Sequence, residues 1–380
     1  MPLAFVLLLL LLRTWTRIAA AYQLATQTDP STEREIISRL MIDGATDGTV
    51  VWPILSPTTY FNTAPITRAK SESTTNSTFW LPKKMVVFGD SMSDNGNFFR
   101  RSLNFYPPNY CYFSGRFSNG PVWVDRLAEL IDGLEVENYA YGGAVSSESL
   151  LPTKIPLAKD IIPSVTDQVN QLYLSALPEP GADNSTKAEA HANDTLYVIW
   201  AGGNDYFELI KRDDVQERIA DHPRMVTDTL FKAVDALYTR AGARRFLVFN
   251  LPAMDYMPRF LNAEMKSSAM ELHQLVDNHN RRLAENIEHA ADRWPKSNIQ
   301  LLDAHSMMTR VRASPRKYGF TDVSTACMKP RAWGFLGGRV CRDPHQHFFW
   351  DDVHPGWRAH MLCAETVYKL FRDKPELFQL

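Results

Sequence analysis

Ser91 and His354 have the residue types and surroundings that acyl transfer requires. Ser91 follows Gly89 and Asp90 directly after an apolar run, where a sharp turn into a helix would expose its hydroxyl. A serine hydroxyl is a poor nucleophile until a base removes its proton. His354 is the candidate base, and Asp351, three residues earlier, can reach its other ring nitrogen and stabilise the imidazolium. The spacing predicts a serine nucleophile served by an Asp–His pair.

Acyl transfer also needs hydrogen-bond donors for the negative charge that develops on the carbonyl oxygen. The Gly142-Gly143 pair offers backbone N–H groups in a turn, and Asn204 offers a side-chain amide after Gly202-Gly203. Asn204 is equally suited to be a structural cap of its own turn. The sequence therefore supplies donors of the right type and leaves the role of Asn204 open.

These residues need a scaffold, and the chain alternates short apolar runs with helical stretches. The runs have the length and composition of buried strands: Met85–Phe88, Leu134–Asn138, Leu196–Trp200, Phe246–Asn250 and Ile299–Leu302. Helical stretches between them include Val122–Ile131, Met225–Tyr238 and Glu264–Trp294. Such alternation predicts an α/β fold, a three-layer α/β/α sandwich around a five-stranded parallel sheet. Ligands bind beyond the carboxyl ends of such strands, where Ser91, the glycine pair and Asn204 all fall.

Four blocks resemble those of the GDSL lipases and esterases, the SGNH hydrolases. They are the runs FGDSMSDNGN at 88–97, NYAYGGA at 138–144, GGND at 202–205 and DDVHP at 351–355. The resemblance covers residues 81 to 371 and implies a flavodoxin-like sandwich. It also implies Ser91 as nucleophile, His354 as base and Asp351 as orienting acid. Gly143 and Asn204 would be the oxyanion donors beside the Ser91 N–H, and the spacing from Asn138 favours Gly143 over Gly142.

The resemblance implies hydrolysis of carboxylic esters through an acyl-enzyme on Ser91, with no metal and no cofactor. The substrate would be a small-acyl or lipid ester or an acetylated carbohydrate, the last being the leading specific option. Two alternatives remain: a metal-dependent hydrolase using His345, His347 and His354, and an inactive binding protein on the same fold. With 41 Lys+Arg against 43 Asp+Glu, the chain lacks the positive field that nucleic acid requires. We expect a monomer that makes at most transient contact with a lipid surface.

The N-terminus predicts secretion. The apolar run Leu3–Leu12 is about half the ~20 residues of a membrane-spanning helix, and small residues at 19–21 follow it. Residues 1–21 are therefore interpreted as a signal peptide, although Arg13 and Arg17 follow the run rather than precede it, so a short membrane anchor is the alternative. Residues 22–80 are a Ser/Thr/Pro-rich extension and 81–380 the catalytic domain. Glycosylation is predicted at the extracellular sequons Asn76, Asn184 and Asn193.

Four cysteines in an oxidising compartment should pair. Cys327 and Cys341 are close in sequence and would close a short loop that is rich in glycine and arginine. We therefore favour a disulfide between them. Four cysteines allow three connectivities, and whether Cys111 and Cys363 meet is left open. Many aromatic residues flank the blocks and are interpreted as core or pocket wall. They are Phe98, Phe99, Tyr106, Tyr110, Tyr112, Phe113, Tyr139, Tyr141, Tyr206, Phe207, Phe348, Phe349 and Trp350.

Overall fold

Five parallel strands form the central sheet of the computed structural model, which describes residues 80–150, 162–177, 194–330 and 338–378. The strands are β1 (Lys84–Gly89), β2 (Glu135–Asn138), β3 (Thr195–Trp200), β4 (Arg245–Phe249) and β5 (Asn298–Leu302), in the order β2-β1-β3-β4-β5. Because β2 and β3 flank β1 on opposite sides, the order in which successive strands are added to the sheet reverses at β1. The carboxyl end of β1 is the point where a ligand crevice is expected.

Shorter strands lie outside this sheet. β6 (Asp322–Ala326) pairs in parallel with β9 (His347–Phe349), and β7 (Met328–Pro330) pairs antiparallel with β8 (Gly338–Val340). None of the four was predicted, because these strands are short and β6 is largely polar and half-exposed, so it lacks the apolar run by which buried strands are recognised.

Helices cover both faces of the sheet. They are α1 (Asn97–Arg101), α2 (Trp123–Leu130), α3 (Val165–Asp167), α4 (Gly203–Leu209), α5 (Val215–Arg218), α6 (His222–Arg240), α7 (Lys266–Glu288), α8 (Ala290–Arg293), α9 (Ala304–Ala313) and α10 (Trp357–Asp373). A π-helical stretch, Gln168–Tyr173, continues α3. Short 3₁₀ turns lie at Leu174–Ala176, Met254–Tyr256, Pro258–Phe260, Ala263–Met265, Pro315–Tyr318, Pro344–Gln346 and Pro375–Phe378.

The predicted helix Glu264–Trp294 is interrupted. It consists of a 3₁₀ turn, then α7, then α8. The break falls at His289, whose Nδ1 donates to the Glu285 carbonyl at 2.8 Å. The imidazole thereby satisfies a carbonyl at the end of α7, and a new helical segment begins after it.

Alternate strand residues pack on opposite faces of the sheet. Val86 and Ile199 belong to a buried cluster with residues of α6 and α7, and Val87 and Val198 belong to another with residues of α2 and α10. Buried strands covered on both faces are what parallel sheets require. The predicted three-layer α/β/α sandwich with a five-stranded parallel sheet is confirmed.

The cysteines divide into one disulfide and two thiols. Cys327 and Cys341 are bonded, with their Cα atoms 4.8 Å apart. The expectation that all four cysteines pair is wrong for Cys111 and Cys363, because both are free and buried. Cys111 lies in a small apolar cluster with the disulfide, whereas Cys363 lies on α10 in the layer that packs against the sheet. Burial raises the pKa of Cys111 to about 11, so its thiol is inert.

The predicted leader 1–21, the extension from residue 22 up to residue 79 and the sequons at Asn76, Asn184 and Asn193 lie outside the described residues. Among the helices that are described, none combines the length and apolar character needed to cross a bilayer.

Candidate active site

Ser91 lies in the turn that leaves the carboxyl end of β1. A Cβ atom at Gly89 would be 2.3 Å from the Trp200 carbonyl oxygen of β3, so only glycine lets the chain turn this close to the neighbouring strand. The Gln168 side chain holds the turn from the other side, since it accepts from the Gly89 N–H and donates to the Gly89 carbonyl, each at 2.9 Å. The turn presents Ser91 half-buried at the sheet edge.

Ser91, His354 and Asp351 form a continuous chain of hydrogen bonds. Ser91 Oγ lies 2.9 Å from His354 Nε2, although the two residues are 263 positions apart. His354 Nδ1 lies 2.8 Å from Asp351 Oδ2. Because a carboxylate only accepts, Nδ1 carries the proton and Nε2 is left to accept from the serine hydroxyl. This is the tautomer that a general base for Ser91 requires.

The electrostatics suit that role. Burial opposes protonation of His354, but the charge and hydrogen bond of Asp351, with the Asp352 charge, outweigh it and raise the pKa of the imidazole. Burial also opposes ionisation of Asp351, yet His354 and backbone N–H groups lower the pKa of that carboxyl to about 2. Asp351 is therefore a buried carboxylate at neutral pH, ready to stabilise an imidazolium.

Asp351 has further donors that sequence reasoning missed. Its Oδ1 accepts from the Val353 and His354 N–H groups at 2.9 and 2.7 Å, and its Oδ2 accepts from the Tyr112 hydroxyl at 2.7 Å. Tyr112 precedes Asp351 by 239 positions. The only sequence signal was its membership of the aromatic set interpreted as core or pocket wall, so no local pattern could identify this contact.

The glycine pair divides between a structural and an exposed position. The Gly142 N–H donates to the buried Asp94 carboxylate at 2.8 Å, so it is already used. Gly143 is exposed, with a positive φ of 81°, and among the described residues its N–H has no acceptor. The Ser91 N–H likewise has no acceptor within that part of the chain. The geometry thus favours Gly143 over Gly142 as an oxyanion donor.

Asp94 links the Ser91 turn to the glycine turn. Its two oxygens accept from the N–H groups of Gly96, Asn97 and Phe98 as well as Gly142, at 2.6 to 3.1 Å. Burial raises the pKa of Asp94 to about 6, against the lowering effect of these bonds. The sequence analysis did not single out Asp94, although it belongs to the same block as Ser91.

Asn204 lies in the first turn of α4, after Gly202 with its φ of 115°. Its Nδ2 donates to the Ala144 carbonyl at 3.0 Å, so one amide N–H ties α4 to the glycine turn. The second N–H has no acceptor among the described residues. Asn204 therefore braces the turn that carries Gly143 and retains one donor for a ligand.

The three histidines of the metal alternative have separate partners. His345 Nδ1 accepts from the Trp357 indole at 3.0 Å, and His347 Nε2 lies 3.6 Å from Asp322, while His354 belongs to the Ser91 chain. One group of potential metal ligands occurs in the described part of the chain, and it consists of His347 with the two disulfide cysteines. Among the described residues, no such group includes His354.

A buried Asp–His pair hydrogen-bonded to a serine hydroxyl at the carboxyl edge of a parallel sheet is the arrangement that serine-hydrolase chemistry requires. The family of GDSL-like lipases and acylhydrolases matches residues 85–367, and the chain belongs to this family.

Curated relatives agree with this assignment. The chain is 25% identical over 255 residues to a phosphatidylcholine-sterol acyltransferase of Aeromonas hydrophila, covering 64% of this chain and 65% of that protein. It is 25% identical to the thermolabile hemolysin of Vibrio parahaemolyticus, and this match covers 75% of this chain and 62% of the hemolysin. It thus spans less than two thirds of either protein. GDSL esterase/lipase 6 of Arabidopsis thaliana is 24% identical, and the match covers 80% of this chain and 89% of that protein.

Solved structures with a similar chain course include a lipolytic protein of the G-D-S-L family from Veillonella parvula. It is 15% identical with a TM-score of 0.40, and the match covers 76% of this chain and 98% of that one. A putative GDSL-like lipase from Parabacteroides merdae is 11% identical with a TM-score of 0.42, covering 79% and 98%.

Proposed function

We propose that this protein is a secreted, metal-independent serine esterase that acts through an acyl-enzyme on Ser91. His354 Nε2 takes the hydroxyl proton as Ser91 Oγ attacks the ester carbonyl, and Asp351 stabilises the imidazolium. The Nε2 proton then passes to the alcohol oxygen as the C–O bond breaks. Water activated by the same nitrogen attacks the acyl-enzyme and releases the acid and the free serine.

The observation that carries this proposal is the Ser91–His354–Asp351 chain, with contacts of 2.9 and 2.8 Å. The neighbouring N–H groups of Ser91 and Gly143, with the second amide N–H of Asn204, are the donors proposed for the oxyanion. Such donors act on the charge that develops in the transition state and are worth several kcal/mol each, about 2.7–4 in a measured case.

A cavity of about 710 Å³ beside His354 bears on the substrate. His354 must protonate the departing alcohol and is one of the residues that line this cavity, so we propose that the alcohol occupies it. Its walls include Tyr106, Arg259, Thr325 and Lys329. This mixture of hydroxyls, cations and an aromatic ring suits a hydroxylated alcohol better than a hydrocarbon.

We therefore propose an acetylated carbohydrate as the leading substrate and a small-acyl or lipid ester as the second candidate. The similarity to a phosphatidylcholine-sterol acyltransferase supports the lipid candidate. Hydrolysis rates on acetylated xylo-oligosaccharides, short synthetic acetates, triglycerides and phospholipids distinguish them. A fixed acetyl group with varied alcohols tests the cavity directly, because only the group that enters it changes.

Substitution of Ser91 tests the reaction type. Ser91→Ala and His354→Ala should each lower kcat by about 10⁶-fold, since the nucleophile and its base act as a unit. Ser267→Ala, an exposed serine on α7, is the matched control and should retain full activity. Near-normal turnover in Ser91→Ala would overturn the proposal. Activity lost to a chelator would favour the metal alternative, and no turnover on any ester would favour the binding-protein alternative.

The proposal includes a leader at 1–21, an extension at 22–80, a catalytic domain at 81–380 and glycans on Asn76, Asn184 and Asn193. Expression in a secreting eukaryotic host tests the leader and the glycans. We expect protein in the medium, a new N-terminus near residue 22 and a mass decrease on endoglycosidase treatment. Retention of the protein in the cell membrane would support the anchor alternative instead.

A further inference from the structure

The Asp351 carboxylate is saturated with donors. An ionised carboxylate has about four lone-pair positions on its two oxygens. In this structure four donors occupy them: the N–H groups of Val353 and His354 on Oδ1, and His354 Nδ1–H with the Tyr112 hydroxyl on Oδ2. The hydrogen bond from His354 Nδ1 and the hydrogen bond from the Tyr112 hydroxyl therefore share one acceptor, Asp351 Oδ2.

Tyr112 is held in place for this contact. Its side chain is buried, its backbone N–H donates to the Pro108 carbonyl at 3.0 Å, and its ring packs edge-on against Phe117. The Phe117 ring in turn lies 5.1 Å from the His354 ring. Burial, followed by the Asp351 charge, raises the pKa of Tyr112 far above its ordinary value. The phenol is thus always protonated and always donates to Asp351.

We propose that Tyr112 is a positioning residue that restrains Asp351 and weakens its attraction for the His354 proton. This inference rests on the proposed function. The Tyr112 hydrogen bond spreads negative charge away from Oδ2, and it is strongest while the imidazole is neutral, because the carboxylate is then most basic. It therefore stabilises the neutral, base-competent form of His354 relative to the protonated form.

Other groups also act on His354. They are Asp351 and Asp352, which favour the imidazolium, Arg259, which disfavours it, and Asp90 and His360, whose own pKa values respond to its charge. All five remain in a Tyr112→Phe variant. Arg259 stays paired with Asp352 through two bonds of 2.8 and 3.1 Å, so that pair is not released by the change. A shift in the His354 titration would then report on the Tyr112 hydroxyl alone.

The test is the pH profile of kcat/KM for Tyr112→Phe. The pKa of the acid limb should rise by about 0.5–1 unit, since a hydrogen bond to a charged group is lost and one pKa unit is about 1.4 kcal/mol. We also expect kcat at the optimum to fall about tenfold. Tyr173→Phe is the matched control, because it removes a buried hydroxyl that contacts Tyr197 of β3, in a cluster that contains neither Ser91 nor His354. Its profile should equal that of the wild type.

A double-mutant cycle separates positioning from a general loss of stability. In an Asp351→Asn background, Tyr112→Phe should produce no further shift of the acid limb, because the carboxylate on which it acts is gone. An unchanged acid limb in Tyr112→Phe, or an equal shift in the Asp351→Asn background, overturns the inference. Either result leaves the proposed function intact as long as Ser91→Ala abolishes turnover.

Discussion

The buried carboxyl of Asp205 should make the stability of the protein fall as the pH rises toward neutrality. Asp205 is fully buried beside Asn204, and its oxygens accept from the Ser146 N–H at 2.9 Å and the Ser146 hydroxyl at 2.6 Å. Burial raises its pKa to about 7, although the two Ser146 bonds oppose the shift. Asparagine can keep both contacts, with Oδ1 accepting from the N–H and Nδ2 donating to the serine oxygen.

The sign follows from proton linkage. The pKa of Asp205 is higher in the folded than in the unfolded protein, so the folded protein binds this proton more tightly. The resulting contribution to the free energy of unfolding is fully present below about pH 4 and is lost as the pH rises through 7. A shift from 3.8 to about 7 corresponds to a loss on the order of 4 kcal/mol at about 1.4 kcal/mol per unit. Asp205→Asn lacks this loss and should be more stable than the wild type at pH 8 by a comparable amount.

Urea unfolding of both proteins between pH 4 and pH 8 measures the effect. Other groups titrate in this range in both proteins, so the quantity to plot is the difference between the two curves. The pKa is raised to about 6 for Asp90 and Asp94, whereas burial lowers it to about 4 for His222 and to about 3 for His279. A difference independent of pH, or an Asp205→Asn protein that is less stable at pH 8, would refute the reasoning.

Two further predictions concern the catalytic residues. Asp351→Asn should lower kcat by up to about 10⁴-fold in steady-state assays, because the amide no longer fixes the His354 tautomer; a loss below about tenfold would contradict a role for Asp351 in orienting the base. Asn204→Ala should lower kcat by about 10²–10³-fold with little change in KM if its second N–H reaches the oxyanion. A thermal shift with unchanged kcat would instead leave Asn204 with only its bond to the Ala144 carbonyl.

Local sequence pattern was sufficient to predict contacts between residues that are close in sequence. Asp351 and His354 are three positions apart, so one turn of chain can join them, and the structure has them in contact at 2.8 Å. Strands β1, β3 and β4 were recognisable because each is a buried, largely apolar run, whereas β2 and β5 are edge strands that are only partly buried. The predicted bounds of the five strands differ from the observed ones by one residue at one or both ends.

Contacts between segments that are distant in sequence could not be predicted from local pattern. Gly142 and Gly143 are equivalent as residue types, and only the bond from Gly142 to Asp94 distinguishes them. The unpaired state of Cys111 and Cys363 follows from their places in two different apolar clusters. Tyr112 is one aromatic residue among many in the sequence, and its contact with Asp351 depends on how the 108–118 turn packs.

Residue type and short-range spacing are chemical properties of the chain itself, so the sequence alone determined the parallel α/β class, the candidate nucleophile and its candidate base. Which donors surround each charged atom is decided by packing, since burial and hydrogen-bond geometry depend on segments that meet only after folding. The tertiary structure therefore decided that Ser91 lies against His354, that Asp94 uses the Gly142 N–H, and that the Asp351 carboxylate has a phenol as its fourth donor.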